Sequence, residues 1–306
     1  MHNRSKNTSA LSNAKIALLG FGEAAQAFVN GWHADGLRGF HAYDIKTRNS
    51  SPERDAKLAD YERLDVAGAE DVRAAVGDAD IVFSFVTADQ AFAAARDAAP
   101  HLKSGALFLD CNSCSPNTKK QSCETITGSG VNYVDAAVMA PVYPRLQKTP
   151  ILLSGQVAVE ACESLGQAGM NAKAVGDEVG RASAIKLSRS IMIKGMEALM
   201  AECMLTARSL GVEDAVLSSL EASDPGFAWR ERAGYALERM SVHGVRRAAE
   251  MREAASMVED LALPARMSHS IVEWQQQIAD LETDAVEGGF EDRADRLLAK
   301  LGSDGS

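Results

Sequence analysis

Between Lys15 and Ala25 the chain reads KIALLGFGEAA, and no other stretch restricts the fold as much. Ile16 to Leu19 are four consecutive apolar residues, the pattern of a strand buried on both faces. Gly20, Gly22 and Ala25 follow as G-x-G-x-x-A, and Glu23 to His33 reads as a helix. Each small residue answers a steric demand. Gly20 permits the tight strand-to-helix turn, Gly22 lets a ligand approach the backbone, and Ala25 lets helix and strand pack closely. The loop and first helical turn, with Phe21, Glu23 and Ala24, would offer free N–H groups to a pyrophosphate. Glycines at this spacing are common by chance. Set between a buried strand and a helix, they predict a dinucleotide-binding βαβ unit.

The chain that follows keeps this rhythm. To about Ser154, apolar runs alternate with helical patterns, which implies parallel βαβ units. Strands are expected at residues 40–44, near 63–66, and at 80–86, 106–110, 133–139 and 151–154, with helices at 69–76 and 91–101. After Gly176 the pattern changes. Glu178 to Leu210 reads as one helix, with Gly195 its weak point and Gly211 its stop. At about 30 residues it would run roughly 45 Å. Beyond it the chain is helical, with breaks expected at Asp224-Pro225-Gly226, Val242-His243-Gly244 and Pro264, and a frayed tail after Leu301. The fold class expected is α/β: an N-terminal Rossmann doubly wound parallel sheet over 13–177, then an all-α domain over 178–306 led by a long interdomain helix.

Composition narrows the partners. The 306 residues carry a formal net charge of -10, which argues against nucleic acid or an anionic membrane. The polar start MHNRSKNTSALSN resembles neither a signal peptide nor an anchor. The apolar stretch from Ile191 to Leu205 is interrupted by Lys194, Glu197 and Glu202, so no span is expected and the compartment read is the cytoplasm. Of the five cysteines, Cys111 and Cys114 form a lone C-x-x-C. A redox pair or half a zinc site would need a second pair, so reduced thiols and no metal are expected.

Asp44 closes the second strand about 20 residues past the glycines, where an acid accepts hydrogen bonds from the adenosine ribose. Its charge favours NAD over NADP, although Lys46 and Arg48 could neutralise a 2′-phosphate, and a turn-capping role for Asp44 stays open. Ligands of open α/β sheets lie outside the carboxyl ends of the strands. Val86 and Thr87 after strand four, and Asn112 after strand five, are therefore cofactor candidates, with Ser113 and Ser115 reaching toward substrate. Asn117 and Thr118 read as caps of the helix opened by Pro116.

Lys186 stands among Ala182, Ala184, Ile185 and Leu187 near the start of the long helix. A lysine in apolar surroundings either snorkels or is partly desolvated, and desolvation fits an amine for acid/base work. Gly20-Phe21-Gly22, Asp110-x-Asn-Ser-x-Ser-Pro116 and Gly180-x5-Lys186 together resemble the β-hydroxyacid dehydrogenases. That superfamily includes 6-phosphogluconate and 3-hydroxyisobutyrate dehydrogenases and imine reductases. The match is best with a phosphogluconate-dehydrogenase-like branch that carries GFGEAA, DxNSxSP and VMAPV runs. The resemblance implies Lys186 as general acid/base, a helix bridging two domains, and a homodimer with the helical domains packed together.

Two departures bear on the substrate. Met139-Ala140-Pro141 stands where the family has a Ser-Gly-Gly substrate loop, and Ser190 stands where it has an asparagine. Pro141 has no N–H to donate and Met139 replaces a hydroxyl with a thioether. Lys194, His243 and Arg246 are replacement candidates for gripping an anion, with Arg247 alongside at the start of a helix and Glu250 and Glu253 as possible partners. Phe227 and Trp229 read as core. The activity implied is NAD(P)-dependent hydride transfer on a hydroxyacid-like small molecule. The alternatives are imine reduction and a dinucleotide sensor without chemistry.

Overall fold

The computed structural model describes residues 14–283 and 288–303. The expectation for the polar start falls on residues 1–13, outside the described residues, as does the end of the tail. The chain divides into two compact units, 1–186 and 187–306. The sequence reading set the boundary at 177/178, ahead of the long helix, whereas the division falls inside that helix.

The first unit is built on one sheet. Its strands are β1 (Ile16–Leu19), β2 (Phe40–Tyr43), β3 (Ala67–Gly68), β4 (Ile81–Ser84), β5 (Leu107–Asp110), β6 (Asn132–Val138), β7 (Ile151–Ser154) and β8 (Ala172–Ala174). Their order is β3-β2-β1-β4-β5-β6-β7-β8. Every pairing is parallel except β6 with β7. The helices are α1 (Glu23–Ala34), α2 (Pro52–Arg63), α3 (Val72–Val76), α4 (Ala91–Ala98), α5 (Pro116–Thr127) and α6 (Ala158–Gln167). Alternation along β1 explains its unbroken apolar run. Ile16 and Leu18 enter a core with Phe28, Trp32 and Leu165, while Ala17 and Leu19 enter a second core with Val76, Ala95 and Ile126. Both faces of the sheet are covered, as parallel sheets require.

Four assignments in this unit differ from the sequence reading. Residues 63–66 are not strand three; they close α2, and β3 is the two-residue bridge that follows. The helix expected over 69–76 begins at Val72, where the Asp71 carboxylate caps it through the N–H of Ala74 at 2.7 Å. The pair α6–β8 and all of α2 were not anticipated. Helix α2 is very polar and buries little beyond Lys57 and Tyr61, so it carries almost no apolar period.

Helix α7 (Arg181–Ser209) opens at the end of the first unit and continues into the second, which adds α8 (Glu213–Ser223), α9 (Trp229–Asp260), α10 (Arg266–Asp280) and α11 (Phe290–Ser303). Met204, Leu217, Leu237, Met240, Ile278, Phe290 and Leu297 form its core. The breaks around Pro225 and Pro264 are present. The break at Val242-His243-Gly244 is not: α9 runs through it as one 32-residue helix. Gly244 is there because α10 lies against it, and a Cβ would come within 2.8 Å of the Ala279 Cβ. Arg246 and Arg247 consequently sit mid-helix and not at a helix start.

Candidate active site

The parallel register aligns the carboxyl ends of four strands with the middle of β6. Tyr43, Leu19, Ser84, Asp110 and Asp135 are successive partners across β2, β1, β4, β5 and β6. The strand order reverses at β1, and in open α/β sheets ligands bind by the loops that flank such a reversal, here those after β1 and β4. Gly20 turns there at φ +80°, and a Cβ on it would lie 2.5 Å from the Phe85 carbonyl oxygen. Only glycine fits.

The polar groups of the next residue are all engaged. The Phe21 N–H donates to Asp44 Oδ2 at 2.8 Å, and its carbonyl accepts from Gln26 Nε2 at 3.1 Å and Lys57 Nζ at 2.7 Å. Its ring is buried 4.9 Å from that of Tyr61. Phe21 thus shapes the loop, and Gly22, Glu23 and Ala24 are left at the N-terminus of α1, where N–H groups have no intrahelical acceptor. Gly22 adopts an extended conformation, and a Cβ built on it meets nothing within 4 Å. Open space above Gly22, next to free helix N–H groups, suits a dinucleotide pyrophosphate.

Asp44 is 9% exposed, and its second oxygen accepts the Lys46 N–H at 3.0 Å. The capping role is therefore present, with an added hold on the glycine loop. Each carboxylate oxygen still has a second lone pair for a ribose hydroxyl. Lys57 and Gln26 both reach Asp60, at 2.9 Å each, which anchors α2 to this loop.

Asn112 is 3% exposed and joins the neighbouring loops. Its Oδ1 accepts the Val86 N–H at 2.7 Å, and its Nδ2 donates to Ser84 Oγ at 2.9 Å and Asp110 Oδ1 at 2.8 Å. Thr87, by contrast, is exposed at the start of a short 3-10 turn. Ser115 is the cap of α5, accepting the Thr118 N–H at 3.2 Å; Asn117 and Thr118, read as caps, lie in its first turn. Ser113 instead receives a hydrogen bond from Lys186, Nζ to Oγ 2.5 Å. Gly180 makes this meeting possible. At φ +96°, a Cβ on it would lie 2.9 Å from the Pro116 Cβ, so the entry to α7 rests on the start of α5. Met139, Ala140 and Pro141 follow β6, the first two partly exposed and Pro141 exposed, with the Met139 N–H given to the Pro150 carbonyl at 2.9 Å.

Beneath Ser113 lies a cluster that sequence reasoning missed. Lys119 is fully buried, and its Nζ reaches the Asp110 carbonyl at 2.6 Å, Asp110 Oδ1 at 2.8 Å and Asp135 Oδ1 at 3.4 Å. Tyr133 donates to Asp110 Oδ2 at 2.7 Å. Asp135 accepts from Ser154 Oγ, from the Ser183 N–H and from Ser183 Oγ, the last at 2.7 Å. Burial works against the Lys119 ammonium, but Asp110 and the other negative neighbours outweigh it and hold its pKa above the usual lysine value. A signal existed: Lys119, Ser122 and Ile126 share a helical face, and all three are buried. Cys111 and Cys114 are buried free thiols, and burial pushes Cys111 well above the usual thiol range. Among the described residues no three potential ligands cluster to hold a metal.

The remaining candidates belong to the helical unit. Lys194 and Arg246 both pair with Glu250, each at 2.6 Å, and Lys194 is only 5% exposed. Burial lowers the Lys194 pKa, with Glu250 opposing. Arg247 pairs with Glu197 and with Gln275. Two of the three groups expected to grip an anion, Lys194 and Arg246, thus share a carboxylate already. Ser190 and His243 are half-buried. Phe227 and Trp229 are also half-buried, their rings tilted against each other at 4.4 Å with Arg232 over Phe227, and so lie at the edge of the core and not within it.

The reversal of strand order, the Gly20–Gly22 turn and the acid closing β2 define the first unit as a Rossmann-type nucleotide-binding domain. Residues 15–168 match the family described as NAD binding domain of 6-phosphogluconate dehydrogenase, and the chain belongs to it. Residues 207–278 match a domain of unknown function, DUF1932. A conserved hypothetical protein from Sinorhizobium meliloti is 38% identical, with 94% of this chain and 96% of that one covered and a TM-score of 0.73. A conserved protein described as structurally similar to 3-hydroxyacid dehydrogenases is 30% identical, with coverage of 87% and 97% and a TM-score of 0.67. The fold is shared with a Mycobacterium tuberculosis 3-hydroxyisobutyrate dehydrogenase bound to L-serine, at 15% identity, 93% and 99% coverage and TM-score 0.70. It is shared too with a Myxococcus stipitatus imine reductase variant in complex with NAD+, at 18%, 94% and 99%, and 0.56. No described helix is long and apolar enough to cross a membrane.

Proposed function

We propose that this chain is an NAD(P)-dependent oxidoreductase acting on a hydroxyacid-like alcohol or its ketone, with Lys186 as general acid/base. The observation that carries the reading is the 2.5 Å hydrogen bond from Lys186 Nζ to Ser113 Oγ, made where the chain leaves the carboxyl end of β5. The pyrophosphate would rest over Gly22 and the first turn of α1, the ribose at Asp44, and the nicotinamide end near Thr87 and the Asn112 loop. NAD is the cofactor favoured, because a carboxylate at the ribose disfavours a 2′-phosphate. Bound there, the dinucleotide supplies the hydride acceptor or donor. In oxidation the neutral amine of Lys186 takes the hydroxyl proton, and in reduction the ammonium returns it, while Ser113 fixes the direction of the nitrogen.

Met139, Ala140 and Pro141 offer few polar groups, which supports a substrate less polar than a simple hydroxyacid. The same loop motivates a second reading, reduction of a cyclic C=N bond. The test is titration with NADH and NADPH by calorimetry, followed by turnover on 3-hydroxyisobutyrate, L-serine and dibenz[c,e]azepine. NADH binds more tightly than NADPH, and Lys186→Ala keeps that affinity while turnover falls at least ~10²-fold. Turnover confined to the imine would move the assignment to the second reading, and an unaffected Lys186→Ala would remove the acid/base role. The functional particle in this reading is a homodimer formed through the helical unit.

A further inference from the structure

Burying an ammonium with two carboxylates seldom adds stability, since apolar side chains of similar volume serve as well or better. The Lys119 cluster therefore calls for another account, and its connections supply one. Asp110 holds the Asn112 N–H at 3.1 Å and the Asn112 amide at 2.8 Å, which fixes the loop one residue ahead of Ser113. Asp135 holds the Ser183 N–H and hydroxyl, and Ser154 Oγ accepts the Ala182 N–H at 3.0 Å. These are first-turn donors of α7, and a carboxylate there also suits the helix dipole. Ser183 precedes Lys186 by three residues and so shares its helix face. Both ends of the Lys186–Ser113 bond are thus tied, through two short arms, to a single ammonium.

We propose that Lys119, Asp110, Asp135 and Ser183 form a charged clamp whose task is to hold Lys186 against Ser113. These are positioning residues. The proposal rests on the reading of Lys186 as the proton-transfer group, and it adds the device that sets that group in place.

The probe is acetic anhydride, with acetylation of individual lysines of the full chain followed by mass spectrometry. Lys103 is the internal reference, because its exposed pairing with Asp80 lies at the amino ends of β4 and β5, whereas Asp110 closes the carboxyl end of β5. In Ser183→Ala the melting temperature stays near that of the unaltered chain. Lys186, released from Ser113, acetylates about fivefold faster, the equivalent of one net hydrogen bond, and the Lys103 rate is unchanged. Ser183→Thr, which restores the hydroxyl, returns Lys186 to its original rate. Lys119→Met moves Lys186 in the same direction; if that variant fails to fold, the Ser183 pair decides. An unchanged Lys186 rate in folded Ser183→Ala overturns the clamp. NADH titration of the unaltered chain is run alongside, and absence of binding there would overturn the oxidoreductase reading while the acetylation comparison still reports on the clamp.

Discussion

Two glycines two residues apart perform opposite tasks, and single methyl groups separate them. Gly20 has a positive φ and a backbone carbonyl within 2.5 Å of any added Cβ. Gly20→Ala therefore meets both left-handed strain and a clash that no rotamer relieves, and should lose more than about 2 kcal/mol of stability. Gly22 has φ -83° and nothing within 4 Å. Gly22→Ala should fold with stability within about 1 kcal/mol of the original, since alanine reduces the freedom of the unfolded chain but is the poorer N-cap residue. Its methyl group would occupy the space assigned to the pyrophosphate, so NADH affinity should fall by about tenfold or more. Denaturant melts and calorimetry on the two variants separate the effects. A Gly22→Ala protein that binds NADH normally would mean the phosphates do not lie over this residue.

At the scale of elements, what the sequence revealed follows how each element is buried. Strands β1, β4 and β5 are covered on both faces and read as continuous apolar runs, so IALL, IVFS and LFLD were visible at once. Helix α2 is held by Lys57 and Gln26 meeting at Asp60 and by one buried tyrosine, and polar anchoring leaves no apolar period to detect. Lys186 was visible by its motif. The clamp beneath it was not, because Asp110, Lys119 and Asp135 meet through the sheet register and not through spacing. Helix α9 differs from the sequence expectation for another reason: a glycine that serves packing looks the same in sequence as one that ends a helix. Two substitutions distinguish these cases. Gly244→Ala gains about 1 kcal/mol of helix propensity but is driven against the Ala279 Cβ and the α10 backbone, and overpacking of this kind costs about 1–3 kcal/mol. Net destabilisation is expected. Gly166 lies in α6 with nothing within 4 Å of an added Cβ, and Gly166→Ala should stabilise by about 0.5–1 kcal/mol. Thermal melts should move in opposite directions, and a shared direction would mean that the α9–α10 contact relaxes around the methyl group.

For the whole molecule, the surface of the helical unit argues for self-association. Met192 and Leu199 are each 64% exposed and stand seven residues apart on α7, so they lie along one side of the helix. On α9, Tyr235 and Val242 repeat the same spacing with Val245 beside them, all exposed. Monomers rarely leave apolar stripes of this kind in water, and a stable interface must bury about 1,200–2,000 Å² in total. Two properties of the chain then act in opposition. In the dimer proposed above, apolar burial would draw copies together, while a net charge of -10 on each would repel them. Salt screens the repulsion over a Debye length of about 10 Å at 0.1 M and leaves the apolar attraction intact. Sedimentation velocity should therefore show a dimer that tightens as salt is raised, whereas an interface held by ion pairs would loosen. Leu199→Arg, which places a charge in the stripe without touching the buried core, should yield a folded monomer at concentrations where the unaltered chain is dimeric. If Leu199→Arg remains dimeric, or if added salt dissociates the unaltered protein, the α7 stripe is not the contact and the exposed face of α9 becomes the next surface to alter.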